Sequence, residues 1–378
     1  MGEDMYRDAG KNVARRRGPR RLLTAAAVPL VALAGIGVAA VAAGAGGSAE
    51  AGFNQPGNVL IADQFNNRVV ELDAENDIVW HFGLGPNDVT ASSIVGVNDA
   101  QRVGDLTLMA GTGVPAPAMG APPLEPGCPT GCVDNRVVLV DRGGHIVWQY
   151  GTFGVTGSGP DQLSTPVQAT YLPNGDVLIT DQGNNRVIEV TKGKGIAWQY
   201  PVPSTPTADQ LNNPNSAELL ANGHILISDE NNNRAIEVTR DHKIVATFEG
   251  TFGGETISGV AFASRLPDGD TLLTDSNNNR VLELKGQGAL EQLVWSYVTN
   301  TETGSNPAPL PTRAIRLRNG DTLISDQFNN RVIEVDHGAP ATIIRQWGTT
   351  NMAGFGRNAF NAPYDAKAIG DYTGLTPP

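Results

Sequence analysis

Residues 181–190 read DQGNNRVIEV, and near-copies read DQFNNRVVEL at 63–72, DENNNRAIEV at 229–238, DSNNNRVLEL at 275–284 and DQFNNRVIEV at 326–335. Four of the copies belong to longer matching units. These are VQATYLPNGDVLITDQGNNRVIEV from Val167, NSAELLANGHILISDENNNRAIEV from Asn215, VAFASRLPDGDTLLTDSNNNRVLEL from Val260 and TRAIRLRNGDTLISDQFNNRVIEV from Thr312. Their turn aspartates, Asp181, Asp229, Asp275 and Asp326, are 48, 46 and 51 residues apart. A period of this size marks a solenoid, a propeller or an array, in which each unit buries its apolar faces against its neighbours.

Each unit reads as four short strands. In the unit from Val167 the first is Val167–Leu172, and an Asn-Gly pair turns the chain, the strongest short hairpin signal. The second is Asp176–Thr180, the third Arg186–Val190 and the fourth Ile196–Tyr200. Branched residues dominate and no helical period appears. Four antiparallel strands per unit make one propeller blade, so the expected fold is all-β.

The blade count is six. Five units are clear. The 118 residues between Asp63 and Asp181 hold a degenerate one, with GDLTLMAG at 104–111, DNRVVLVD at 134–141 and then HIVWQYG as its last three strands. The ordered body starts near Asn54 on a second strand, and NAPYDAKAIGDY at 361–372 resembles a first strand with no blade after it. The C-terminal strand is therefore expected to complete the N-terminal blade, a closure that removes open sheet edges. The expected domains are a basic N-terminal segment, 1–51, and a propeller, 52–378. Trp80, Trp148, Trp198, Trp295 and Trp347 all fall in fourth strands, with Phe248 in the remaining blade. One frame of interblade aromatic packing is expected from them.

GDVLITDQGNNRVIEV and its copies resemble NHL repeats, which form six-bladed propellers. RVIEV followed by IAWQY is also similar to the repeats of bacterial arylsulfotransferase-type propellers. The resemblance covers residues 54–372. It implies a fold and not a function, because this fold hosts binding modules, lyases, hydrolases and transferases.

Chemistry needs asymmetry, whereas five equal copies make five equal joints. The pairs Asp63/Arg68, Asp181/Arg186, Asp229/Arg234, Asp275/Arg280 and Asp326/Arg331 are accordingly expected to be structural turns. The Asn pair between them tolerates left-handed backbone, and each Arg can reach either the turn Asp or a Glu in its own strand, such as Glu189.

Function should lie where the repeats differ. The degenerate blade has Ala110 where others have Asp, Leu139 where others have Glu, and an insertion, GTGVPAPAMGAPPLEPGCPTGCV, at 111–133. The turn between second and third strands shares a face with the long links 151–165, 201–214 and 299–311. That face is the expected binding face for a protein or small polar ligand, with the insertion as its lid or rim. Cys128 and Cys132 within the insertion are expected to form a disulfide.

A second place is the ring of first strands. The residue before the recurrent Ala is Asp99, Gln168, Ser216, Phe262, Arg313 or Asp365, with Glu218 and Lys367 nearby. The polar members are candidates for a central funnel that holds one ligand; the alternative is that they satisfy one another. No cofactor is expected, although channel carboxylates leave room for a divalent metal.

Residues 1–49 carry seven basic and three acidic side chains, leaving the remainder a net charge of −16. An acidic body repels phosphate backbones, which argues against nucleic-acid partners. RRRGPRR at 15–21, the uncharged run 22–43 and Ala49-Glu50-Ala51 make either a cleaved secretory signal or a single membrane anchor. In both cases the propeller is expected outside the cytoplasm.

None of the five His falls in a first strand. Arylsulfotransferase-type propellers use central histidines and NHL-like amidating lyases a histidine-ligated zinc, and no position here matches either set. The expected function is a binding or scaffolding module. The alternative is a propeller enzyme, a lyase, hydrolase or arylsulfotransferase-like protein, acting in the central funnel.

Overall fold

The computed structural model describes residues 52–286 and 291–371. The basic stretch and apolar run of the N-terminus lie outside these residues. Among the described residues no helix is long and apolar enough to cross a membrane.

The chain forms a six-bladed β-propeller of four-stranded antiparallel blades. Blade 1 is made of Val59–Asp63, Arg68–Leu72 and Ile78–Phe82, completed on its inner edge by Pro363–Ala368. The C-terminal strand thus closes the ring on the N-terminal blade. Blade 2 runs Val97–Val103, Leu106–Gly111, Arg136–Val140 and Ile146–Tyr150. Blade 3 runs Pro166–Tyr171, Val177–Asp181, Arg186–Val190 and Ile196–Tyr200. Blade 4 runs Pro214–Leu219, Ile225–Asp229, Arg234–Val238 and Ile244–Phe248. Blade 5 is Val260–Arg265, Thr271–Asp275, Arg280–Lys285 and Gln292–Val298, and blade 6 is Arg313–Arg316, Thr322–Asp326, Arg331–Val335 and Ile343–Gly348.

The local cause of each blade is turn chemistry. After the inner strand, Gly175, Gly223, Gly269 and Gly320 take φ of 88, 84, 95 and 95°, where a side chain would be strained. After the second strand, one turn of 3-10 helix ends on an asparagine in the left-handed region: Asn67, Asn185, Asn233, Asn279 and Asn330. Asparagine enters that region at low cost because its short amide bonds locally.

The core is a ring of six clusters, each shared by two neighbouring blades. Strand alternation deals side chains to opposite sides of a blade. Ile179 and Val177 join blade 2 residues Leu108 and Val137, whereas Leu178 between them joins blade 4 residues Ile225 and Ile227. The cluster of Leu323, Val332 and Trp347 with Val59, Ile61 and Ala366 seals blade 6 to blade 1. Each buried Leu or Ile contributes about 1.5–3 kcal/mol. A charge at Ile179 or Ile227 would break a blade interface rather than one sheet.

The tryptophans do not share one frame. Trp80, Trp148, Trp198 and Trp295 lie opposite Glu71, Leu139, Glu189 and Glu283, but Trp347 lies opposite Val332. Trp347 and Phe248 take the place of Phe82, Tyr150, Tyr200 and Tyr297, two residues further along. The earlier position is a rim latch: Trp80, Trp148 and Trp198 donate their indole N–H to the carbonyls of Arg142, Lys192 and Arg240 in the next blade, at 3.0–3.1 Å. Arg345 occupies it in blade 6.

Candidate functional site

The repeated phrase is a joint with three parts. Arginine Nε donates to the turn aspartate in every blade: Arg68 to Asp63, Arg186 to Asp181, Arg234 to Asp229, Arg280 to Asp275 and Arg331 to Asp326, at 2.7–2.8 Å. In the degenerate blade Arg136 does the same with Asp134 at 2.6 Å. The other aspartate oxygen accepts a backbone N–H from the link entering the same blade, from Asn361, Val95, Ser164, Asn212 and Ser258 in blades 1 to 5. The second asparagine accepts an N–H from the link entering the next blade. Asn67 takes Gly96, Asn135 takes Thr165, Asn185 takes Asn213, Asn233 takes Gly259, Asn279 takes Leu310 and Asn330 takes Ala362.

The first-strand residues make a second ring. Asp365 Oδ2 accepts Ala100 N–H, Asp99 Oδ2 accepts Ala169 N–H, Gln168 accepts Ala217 N–H and Ser216 accepts Ala263 N–H, at 2.6–3.2 Å. Inner strands have no partner on their channel side, so these acceptors satisfy amides that would otherwise be orphaned. Below them Glu218 accepts Arg265 N–H at 3.0 Å, and burial pushes its pKa well above the usual carboxyl range.

The ring changes character in blades 5 and 6. Phe262 offers no acceptor, and Arg313, 1% exposed, turns across the channel. Its guanidinium donates to the carbonyls of Thr312, Ala261, Asn215 and Val167 and to Asn215 Oδ1, at 2.9–3.3 Å. It lies between the rings of Phe262 and Tyr364, 5.3 and 5.1 Å from their centroids. On the other side Lys367 Nζ bonds Asp99 Oδ1 and the Ala100 carbonyl at 2.8 Å and also Asp365 Oδ2. Burial raises Asp99 to about 6 against the pull of Lys367. Asp99, Gln168, Ser216, Glu218, Arg313, Asp365 and Lys367 are thus all buried and engaged with protein partners. The carboxylates a divalent ion would need, Asp99 and Asp365, hold the Lys367 ammonium.

Open space lies above this plug. A cleft of about 530 Å³ is lined by Gln64, Asn98, Gln182 and Tyr364 at the channel mouth, by Thr112 and Thr165, and by residues 113–116 and 130–133 of the insertion. Gln64 Nε2 donates to Asn98 Oδ1, and Gln327 Nε2 donates to Gln64 Oε1, both at 2.8 Å. Asn215 Nδ2 donates to the Tyr364 hydroxyl and to Glu230 Oε2, both at 2.8 Å, and Gln182 reaches Glu230 at 3.4 Å. Burial raises the Glu230 pKa, with Asn215 and Arg313 pulling it down.

The insertion stands on this face. A disulfide joins Cys128 and Cys132, whose Cα atoms are 5.4 Å apart. Val114 and Cys132 pair as an antiparallel bridge. Val114 and Cys128 are buried against Phe65, Val95 and Ala362, so the base of the insertion is core and its tip is rim.

Residues the sequence reading passed over are those directly after the turn aspartate: Gln64, Gln182, Glu230, Ser276 and Gln327. The signal was present. In D-x-x-N-N-R this position varies while Asp, the Asn pair and Arg hold. The histidines lie elsewhere: His145 pairs with Asp141, His224 with Glu237 and His337 with Glu283, and His242 stacks on Trp198. His81 and His145 share a smaller side pocket between blades 1 and 2. None of the five lines the cleft.

No protein-family model matches the chain, and no curated protein matches it. Solved structures do. A protein of unknown function from Bacteroides caccae is 12% identical with a TM-score of 0.54, over 82% of this chain and 98% of that one. A catalytically inactive virginiamycin B lyase from Staphylococcus aureus with quinupristin is 13% identical with a TM-score of 0.48, over 78% of this chain and 86% of that one. A chain of a nidogen/laminin complex is 11% identical with a TM-score of 0.48, over 76% of this chain and 92% of that one. At 12% identity the first of these speaks to the fold alone.

Proposed function

We propose that this protein is an extracytoplasmic NHL-like propeller, exported or membrane-anchored, that binds a small polar ligand in the cleft between the channel mouth and the insertion. One observation carries the reading. The residue after the turn aspartate, one of two variable positions in the repeated phrase, lines the cleft at Gln64 and Gln182 and adjoins it at Gln327 and Glu230; Gln64, Gln327 and Glu230 bond within the protein, and the half-buried carboxamide of Gln182 borders the space. The invariant residues of the phrase are spent on joints. Carboxamides donate and accept, which suits hydroxyl or amide groups of a ligand better than a bare charge. The disulfide supports an oxidising compartment. The histidines lie outside the cleft, which supports binding over acid–base catalysis.

The test is a thermal-shift screen of the protein against neutral sugars, polyols and small amides, repeated with Gln182→Trp to fill the cleft. A ligand at 100 times its Kd stabilises the folded state by about 2.7 kcal/mol. The reading expects at least one stabilising compound whose effect disappears in Gln182→Trp. Compounds that stabilise both proteins equally would place binding elsewhere.

A further inference from the structure

The insertion that walls the cleft is fastened by an acidic group with no cation. Glu125 is 1% exposed. One carboxyl oxygen, Oε1, accepts Asn67 Nδ2 at 2.9 Å, and the other, Oε2, has no hydrogen-bond partner. Asn67 is also a blade joint, its Oδ1 accepting Gly96 N–H at 2.8 Å. Two residues beyond Glu125, Gly127 N–H donates to the Pro86 carbonyl at 3.0 Å and ties the insertion to the link between blades 1 and 2.

The surroundings of Glu125 are uncharged. The Cys128 and Cys132 sulfurs lie within 4.8 Å of its carboxyl and are locked in the disulfide. The ionic groups on the elements around it are closed on themselves. Asp63 is paired with Arg68 on blade 1 and Asp134 with Arg136 on blade 2, and Asp88 in the link accepts the Thr90 hydroxyl. Burial, opposed by Asn67 alone, raises Glu125 to about 7.

We infer that the insertion is a pH-controlled latch on the cleft, held down while Glu125 is a neutral acid and loosened when Glu125 ionises. A buried carboxylic acid with one hydrogen bond is tolerable, whereas a buried carboxylate with one hydrogen bond and no cation is costly. The sign follows. In the loosened state Glu125 is solvated and titrates near its ordinary value of 4.5, so closing the latch takes up a proton between that value and about 7. The latch is held at acid pH, and each rising pH unit in that window favours the loosened state by up to roughly ten-fold. Above the window the preference no longer changes. That loosening opens the cleft rests on the proposed binding site; the loosening itself does not.

The test reads the insertion directly in the full-length protein. Reduction of Cys128–Cys132 by a phosphine is followed from pH 5 to 7.5 in wild type and Glu125→Gln, with the variant as reference at each pH. The expected result is a wild-type to variant rate ratio that rises at least roughly ten-fold over this range. A constant ratio would overturn the latch. Should the variant fail to fold, wild type alone decides. After correction for intrinsic rates, Gly127 and Cys132 amides should gain exchange relative to Val187 in blade 3 as pH rises, and an unchanged ratio refutes the idea. If the latch loosens while affinity for a compound from the thermal-shift screen stays constant, the latch stands and the cleft is not the site.

Discussion

Pro309 stands four residues before Arg313, at the position from which each of the other five blades sends a backbone N–H to its turn aspartate, and Asp326 Oδ1 is left without a hydrogen-bond donor. The equivalent donors are Asn361, Val95, Ser164, Asn212 and Ser258. Proline has none to give. Burial raises Asp326 to about 6, against the pull of Arg331.

Replacing Pro309 by Ser restores the missing N–H. A folded-state carboxyl raised above its ordinary value costs stability as pH climbs from that value to about 6. The variant should lose less stability than wild type between pH 4 and 6, by about 1 kcal/mol. The slope is the readout, because losing the ring costs about 0.4–1 kcal/mol at any pH. Urea denaturation across this range decides it, and parallel curves would contradict the account.

The asparagine joint separates into two contributions. Asn185 holds φ at 52° and accepts Asn213 N–H at 2.7 Å. Asn185→Ala loses both and should cost about 1–3 kcal/mol. Asn185→Gly keeps the backbone conformation, loses the acceptor and should recover part of that loss. Chemical denaturation of the two variants checks the order.

Lys367→Met should be among the most damaging substitutions, since it strands Asp99 and Asp365 in the channel, at a cost of about 3–5 kcal/mol. The deficit should shrink towards pH 4, where Asp99 protonates, and should largely vanish in the Lys367→Met/Asp99→Asn/Asp365→Asn combination. Melting curves at two pH values report this.

Opening the disulfide by Cys128→Ser/Cys132→Ser should lower stability by about 2 kcal/mol for so short a loop. Deleting 114–132 should lower the melting temperature as well, because Val114, Glu125 and Cys128 are buried. A lid or rim alone, as the insertion reads from the sequence, would leave stability nearly unchanged, whereas its base is part of the core. An unchanged melting temperature after deletion would restore that simpler picture.

The blades were legible because their causes are local: Asn-Gly and Asp-Gly turns, strand alternation and the N-N-R phrase each act within a few residues. Even the degenerate blade kept Asn135 and Arg136, and both make the standard joint. The site was less legible because its contacts are distant in sequence. Arg313 bonds Asn215 and Val167, and Tyr364 bonds Asn215, links that no spacing rule exposes. The tryptophan frame failed for a nearer reason. IIRQW aligns with IAWQY at its first isoleucine, which puts Arg345 where Trp198 stands and Trp347 where Tyr200 stands.

The central claim is that the cleft beneath the insertion holds a small polar ligand. Native mass spectrometry of the purified protein, wild type beside Gln182→Trp, tests it most directly. The account predicts a small-molecule adduct on wild type that is released on denaturation and missing from the variant. An adduct carried equally by both, or by neither across repeated preparations and the compounds of the thermal-shift screen, would contradict it.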